Sequence, residues 1–235
     1  MDKPAICIEN LYHDYRGEWH IRIPHLELNF GTVYGLVGRN GVGKTSLMNL
    51  IAGEIAAMSG SINLTTQHIG HINSQTSYPG YYRIRELAAL FIAQAKCKQS
   101  VWDTERFNDV LGIFSVDQAT QYRHLSTGEK AGCHLAIMLA QHPSIWLLDE
   151  PTLGIDVVAI NQCLSILSQT FLDDGPCVIF STHQMYELER MTDRILVLAD
   201  GEIRWQGETE ALHEQEPSFR KAVEAMLQPA KEAQA

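Results

Sequence analysis

The amino-acid sequence reads as an α/β protein. It has a parallel-sheet core with an antiparallel β edge and an inserted α-helical subdomain. Three observations carry this. The short apolar runs "TVYGLVG" (32–38), "SIWLLDE" (144–150), "CVIFSTH" (177–183) and "RILVLADG" (194–201) have the composition of buried parallel strands. The segments "AICIENLYHDY" and "HIRIPHLEL" instead alternate apolar with polar residues, the pattern of half-buried strands. Between about residues 84 and 140 the strand runs stop and helical spacing takes over.

Each element has its own signal. "HIRIPHLEL" places Ile21, Ile23, Leu26 and Leu28 as its apolar set, and Pro24 assigns the pair of first strands to a sheet edge. "TVYGLVG" ends in glycine and runs into "KTSLMNLIAGE", a strand–loop–helix unit. "IRELAALFIAQAK" is helical by composition. "DTERFNDVLGIF" puts Phe107, Val110, Leu111 and Phe114 on one face, with Asp103 or Thr104 as N-cap. "LSTGEK" (125–130) opens a helix that continues through "HLAIMLAQH". Ser126 and Glu129, three residues apart, form a capping-box pattern. Phe219, Val223, Met226 and Leu227 give a last one-faced segment, and "QPAKEAQA" is expected to fray. The expectation is one domain, 1–235. Its α/β core is 1–83 and 140–207, its helical insert 84–139 and its helical tail 208–235.

Composition narrows the function classes. The chain is 235 residues long and 45% hydrophobic, which sustains one substantial core. A net charge of −10 argues against nonspecific nucleic-acid binding, which needs a basic face. It leaves room for a small anion held by a few oriented N–H groups. The five cysteines (Cys7, Cys97, Cys133, Cys163 and Cys177) are odd in number and none makes a CxxC pair, so a reducing, cytoplasmic compartment is expected. Asp2 and Lys3 precede only a short apolar run, so no signal peptide is expected. No stretch approaches the ~18 apolar residues of a membrane span. Any membrane role then comes through a partner.

Two motifs carry chemistry. "GRNGVGKT" comprises Gly38, Arg39, Asn40, Gly41, Val42, Gly43, Lys44 and Thr45, and fits G-x-x-x-x-G-K-[ST] throughout; Ser46 follows. The glycines let successive N–H groups curl around phosphate oxygens. The helix that starts near Lys44 adds a partial positive charge of about 0.5 at its N-terminus. Lys44 supplies a full charge to the β/γ oxygens, and the Thr45 hydroxyl is placed for a magnesium ion. "IWLLDE" ends an apolar strand in Asp149 and Glu150. Two carboxylates at the end of a buried strand are costly unless a cation compensates them. Asp149 fits a magnesium-holding carboxylate, and Glu150 a group that orients or deprotonates an attacking water.

"GRNGVGKT", "LSTGEK" and "IWLLDEPTLGID", in that order, resemble the ATP-binding cassette (ABC) ATPase family, and the resemblance runs from Tyr15 to about Gly207. It implies a P-loop NTPase (RecA-like) fold, with ATP and Mg2+ as cofactors. It also implies a head-to-tail pair of ATPase subunits, most simply a homodimer. Each ATP would lie between one subunit's phosphate loop and the other's signature motif. LSTGEK is similar to that signature, so Ser126 and the N–H groups of Gly128 and Glu129 would face the partner's γ-phosphate. Tyr15 falls where the family stacks an aromatic ring on adenine, with Tyr12 as the second candidate. Asp156 falls in the loop at the dimer contact. His183 falls at the switch histidine. Two positions depart from the family's pattern. Register places Ser74 at the glutamine that closes the strand near "HIGHINSQTSYPG", while the available amide is Gln75, the residue assigned to metal and water. Gly132 stands where arginine is frequent, and glycine inside a helix costs about 1 kcal/mol relative to alanine.

One cassette without a span implies a second ATPase copy and integral-membrane permease subunits. The protein would then sit in the cytoplasm, peripheral on the inner face of the membrane. "STHQMYELERMTDRILVLADGEI" resembles exporter-type (ABC-2) ATPases more than importers. The competing readings are a soluble ABC ATPase acting on a ribosome or DNA-repair complex, and a small-molecule kinase outside the family. The acidic balance and the lack of a second cassette or long coiled coil weigh against the first. The signature weighs against the second.

Overall fold

The computed structural model describes residues 3–15, 19–73, 75–98 and 100–215, together with 221 and 223. In chain order the elements are β1 (Ile6–Tyr15), β2 (Trp19–Leu28), β3 (Thr32–Val37), α1 (Lys44–Ala52), β4 (Ser59–Leu64), β5 (Ile69–Ile72), α2 (Ile84–Lys98) and α3 (Thr104–Ile113). A 3-10 turn (Tyr122–His124) then leads to α4 (Thr127–Leu139), β6 (Ile145–Asp149), α5 (Val157–Asp174), β7 (Cys177–Ser181), α6 (Met185–Met191), β8 (Arg194–Ala199), β9 (Glu202–Glu208) and α7 (Thr209–Gln215). The chain divides into two compact units, one of residues 1–65 and 177–235, the other of 66–176.

The first unit holds two sheets. In the antiparallel sheet β2-β1-β4, Ile6 pairs with Leu28 and Ile8 with Leu26. All four are buried, which fixes the register because a one-residue slip would turn them to solvent. β2 is an edge strand, so Pro24 removes no ladder hydrogen bond the sheet needs. The second sheet runs β7-β3-β8-β9, with β3 parallel to β7 and β8, and β9 antiparallel. Asp193 anchors the start of β3: its Oδ2 accepts from Val33 N at 2.7 Å, and its own N–H donates to Val33 O at 2.9 Å. Arg22 N donates to Gly201 O at 2.8 Å, joining β2 to the β8–β9 turn.

The second unit places β5 parallel to β6, with Ile69 opposite Ile145 and Ile72 opposite Leu148. It is larger than the helical insert expected over 84–139, because the helices pack on the flanking strands. A Cβ on Gly70 of β5 would stand 2.6 Å from Met138 Cγ of α4. Asp103, rather than Thr104, caps α3 by accepting from Arg106 N at 2.9 Å. Gly132 also finds its reason here. A Cβ at this position would lie 2.3 Å from Phe114 Cγ, so the ring of Phe114 packs directly on the α4 backbone. At the chain's end Val223 is buried, whereas Phe219, Met226 and Leu227 fall outside the described residues.

Candidate active site

The phosphate loop connects β3 to α1 in the first unit. Gly43 is the N-cap of α1 and adopts φ 105°, a conformation open to glycine. A Cβ there would also press on Trp19 at 3.0 Å. This cap offers no side-chain acceptor, and the first turn of α1 holds no acidic residue. The positive end of α1 is thus not offset locally, which suits an anion. Lys44 is buried, and its Nζ donates to Gly38 O at 2.9 Å and to Arg39 O at 3.3 Å. The ammonium is held along the loop that would wrap a phosphate. Thr45 is exposed at the first turn and Ser46 is half-buried.

His183 follows β7 in the same unit and is exposed. The backbone on either side of it is fixed: Thr182 Oγ1 donates to Glu187 Oε2 at 2.6 Å and accepts from Gln184 N at 3.1 Å. Tyr15 closes β1 opposite Trp19, but its side chain lies outside the described residues. Tyr12 stacks on His20 with centroids 6.3 Å apart.

The remaining candidates belong to the second unit. Every residue of β6 is buried, Asp149 included. Glu150 follows with φ 52°, a left-handed turn that takes its side chain off the strand's line. Asp156 caps α5, its Oδ1 accepting from Val158 N at 2.9 Å and Ala159 N at 3.0 Å. Ser126 and Glu129 form the expected capping box of α4. Glu129 Oε2 accepts from Ser126 N at 2.7 Å, and Ser126 Oγ accepts from Glu129 N at 3.3 Å. The N–H of Glu129 is therefore directed at Ser126, and the Ser126 hydroxyl keeps its own proton to donate. Gly128 is not demanded by its surroundings, since a Cβ would meet only Ala159 at an ordinary 3.6 Å. Gln75 N donates to Asn73 Oδ1 at 2.9 Å in a tight turn. Ser74 lies outside the described residues. Gln75, Thr127 and Glu150 line one cavity of about 330 Å3.

The scan against family models matches the family described as "ABC transporter" over residues 21–153, more than half of the chain. The chain belongs to the ABC transporter family. It is 29% identical over 188 residues to the ABC transporter ATP-binding protein YtrB of Bacillus subtilis, covering 76% of this chain and 63% of that relative's length. Among solved structures, an ATP-binding subunit of an ABC transporter superimposes with a TM-score of 0.81 at 19% identity, over 95% of this chain and 100% of that one. The dimeric post-hydrolysis state of the cassette MJ0796, bound to ADP and Pi, gives 0.73 at 20% identity over 86% and 98%. These likenesses establish the fold as that of the ABC ATPases, a P-loop α/β core with an antiparallel sheet and added helices.

In this ABC cassette the cavity has further lining residues that sequence reasoning passed over. Lys130, His134 and Tyr122 share it with Gln75 and Glu150. The Tyr122 hydroxyl and His134 Nε2 form a hydrogen bond of 2.7 Å, and Tyr78 sets its ring edge-on to both. Burial, aided by the charge of Lys130, holds His134 down at about 4, so its imidazole is neutral at pH 7. Burial also pushes the neighbouring Cys133 thiol up to about 12, which leaves it unreactive. The sequence shows Lys130 and His134 four apart on one helix face, but not that the partly buried His134 meets the Tyr122 hydroxyl in this cavity.

Proposed function

We propose that this chain binds and hydrolyses ATP as the nucleotide-binding subunit of an ABC transporter, at sites shared between two copies. The observation that carries the reading is the phosphate loop. It combines a buried lysine held along its own loop carbonyls with a left-handed glycine cap and a helix end without acidic offset. Gly38 to Ser46 would cradle the phosphates, and Tyr15 would carry the adenine. Magnesium fits the donor set, because all its proposed ligands are oxygens: the Thr45 hydroxyl, the Asp149 carboxylate and the Gln75 amide. Glu150 would orient the attacking water, and His183 would contact the γ-phosphate. Ser126, Gly128 and Glu129 would meet the ATP of the other copy, with Asp156 at the contact between copies. A glycine at 128 that its own fold does not require supports close approach of such a ligand.

ATP binding would close the dimer, and hydrolysis would reopen it. Among the described residues no helix is long and apolar enough to cross a membrane. The reading therefore includes separate permease subunits, which would hold the chain at the cytoplasmic face of the membrane. Export is the direction favoured by the pattern of residues 181–203. The deciding experiment is Glu150→Gln with MgATP. The variant should bind ATP and run as a stable dimer in sedimentation, while Lys44→Ala should lose nucleotide binding. A Glu150→Gln chain that stays monomeric with saturating ATP would sink the shared-site model.

A further inference from the structure

The outward face of the β1–β2 ladder carries a cluster of side chains of metal-ligating type, separate from the candidate nucleotide residues. Cys7 and Glu9 are two apart on β1 and share a face. The register sets Cys7 opposite Glu27 and Glu9 opposite His25. Two adjacent cross-strand pairs thus form a square of thiol, imidazole and two carboxylates. The inner face of the same ladder buries Ile6, Ile8, Leu26 and Leu28. That burial holds the register, and with it the square.

The distances are those of a nearly closed site. One ligand atom each from Cys7, Glu9 and His25 lies within 4.8 Å of the other two. His25 Nε2 stands 3.7 Å from Glu27 Oε1. Bond lengths of about 2.0–2.3 Å around a tetrahedral zinc ion put its ligand atoms about 3.5 Å apart. Small rotations of surface side chains close the difference. The chemistry selects the metal. A thiolate with an imidazole does not suit magnesium or calcium, which take oxygen ligands. A single cysteine does not suit an iron–sulfur cluster. A cation would also relieve the two carboxylates gathered on one patch.

We propose that Cys7, Glu9, His25 and Glu27 bind one zinc ion on the outer face of the antiparallel sheet, cross-linking β1 to β2. The site is independent of the nucleotide reading, and the two are tested separately. The full-length, tag-free chain is stripped with a chelator and titrated with cobalt(II), a spectroscopic stand-in for zinc. The expected result is one equivalent giving a thiolate-to-cobalt charge-transfer band, displaced by zinc. Cys7→Ser should lose the band, and His25→Ala should weaken zinc binding at least about tenfold. Cys97→Ser, which removes an exposed thiol elsewhere, should keep it. Zinc should raise the Tm of the parent chain and leave that of Cys7→Ser unchanged, with circular dichroism showing both folded. No band in the parent chain, a band that survives Cys7→Ser, or one lost in Cys97→Ser overturns the site.

Discussion

Gly132 shows how a residue can defy local propensity for a reason only the packed structure holds. Alanine would favour the helix by about 1 kcal/mol. The ring of Phe114 nevertheless occupies the space a methyl group would need, at 2.3 Å. Phe114 is itself buried at the end of α3, so it has little freedom to retreat. Gly132→Ala should therefore destabilise the protein by about 1–3 kcal/mol in urea unfolding, since overpacking outweighs the propensity gain. Phe114→Leu in the same chain should recover part of that loss, and strictly additive effects would contradict the contact. From sequence the glycine reads as a bare departure from the family's pattern. Phe114 is visible as a core residue of its helix, but which residue it meets eighteen positions later is not. Asp103, by contrast, needs only its own neighbours to act as a cap, and local sequence reveals it.

At the level of the element, α4 has to satisfy two demands with the same side chains. Ser126 caps the helix, and in the proposed function it also meets a phosphate. Substitution separates the roles. Aspartate caps about as well as serine, whereas alanine does not. Ser126→Asp should thus keep near-parent stability and Ser126→Ala lose about 1 kcal/mol. Aspartate would set a negative charge against the phosphate, so Ser126→Asp should abolish ATP-dependent dimerisation while ATP binding to the monomer persists. An aspartate variant that still dimerises would leave Ser126 with the cap alone. Farther along α4, His134 is held down at about 4, below its unfolded value of about 6.5. Under pH 6.5 the unfolded chain takes up a proton that the folded chain refuses. Stability conferred above pH 6.5 is then lost as pH falls toward 4, by up to about 3 kcal/mol. His134→Leu should flatten the dependence between pH 6.5 and 4 in urea titrations. An unchanged slope would show that other groups control it.

Across the molecule, the strands that sequence reveals best are those buried on both faces. β6 and β7 are buried throughout, apolar up to their last residues Asp149 and Ser181, and lead into recognisable motifs. β9 and β4 escaped because each carries only a short alternation, Ile203 and Trp205 in one and Ile62 and Leu64 in the other, next to glycine and polar residues, with no residue buried outright. The compact unit of residues 66–176 takes in β5 and β6 with the helices, because α4 packs against β5, a contact that helical composition does not reveal. In the proposed function, which chain completes each site matters at this scale. The phosphate-loop and signature motifs occur once per chain, and the proposed head-to-tail dimer with two-fold symmetry would make both sites from both copies. Lys44→Ala destroys the phosphate loop, and Ser126→Asp destroys the signature. A homodimer of either variant has no intact site. In a mixed dimer one site combines both defects, and the other joins the Ser126→Asp chain's sound phosphate loop to the Lys44→Ala chain's sound signature. Because neither variant forms an ATP-driven dimer with itself, the dimers that form in an equal mixture are mixed ones with one good site of two. ATPase activity absent from either variant alone should therefore reappear on mixing, up to about half of the parental level. Sites built within a single chain would give no recovery on mixing. A phosphate-release assay on the two variants, alone and combined at equal concentration, decides between these architectures without requiring the permease.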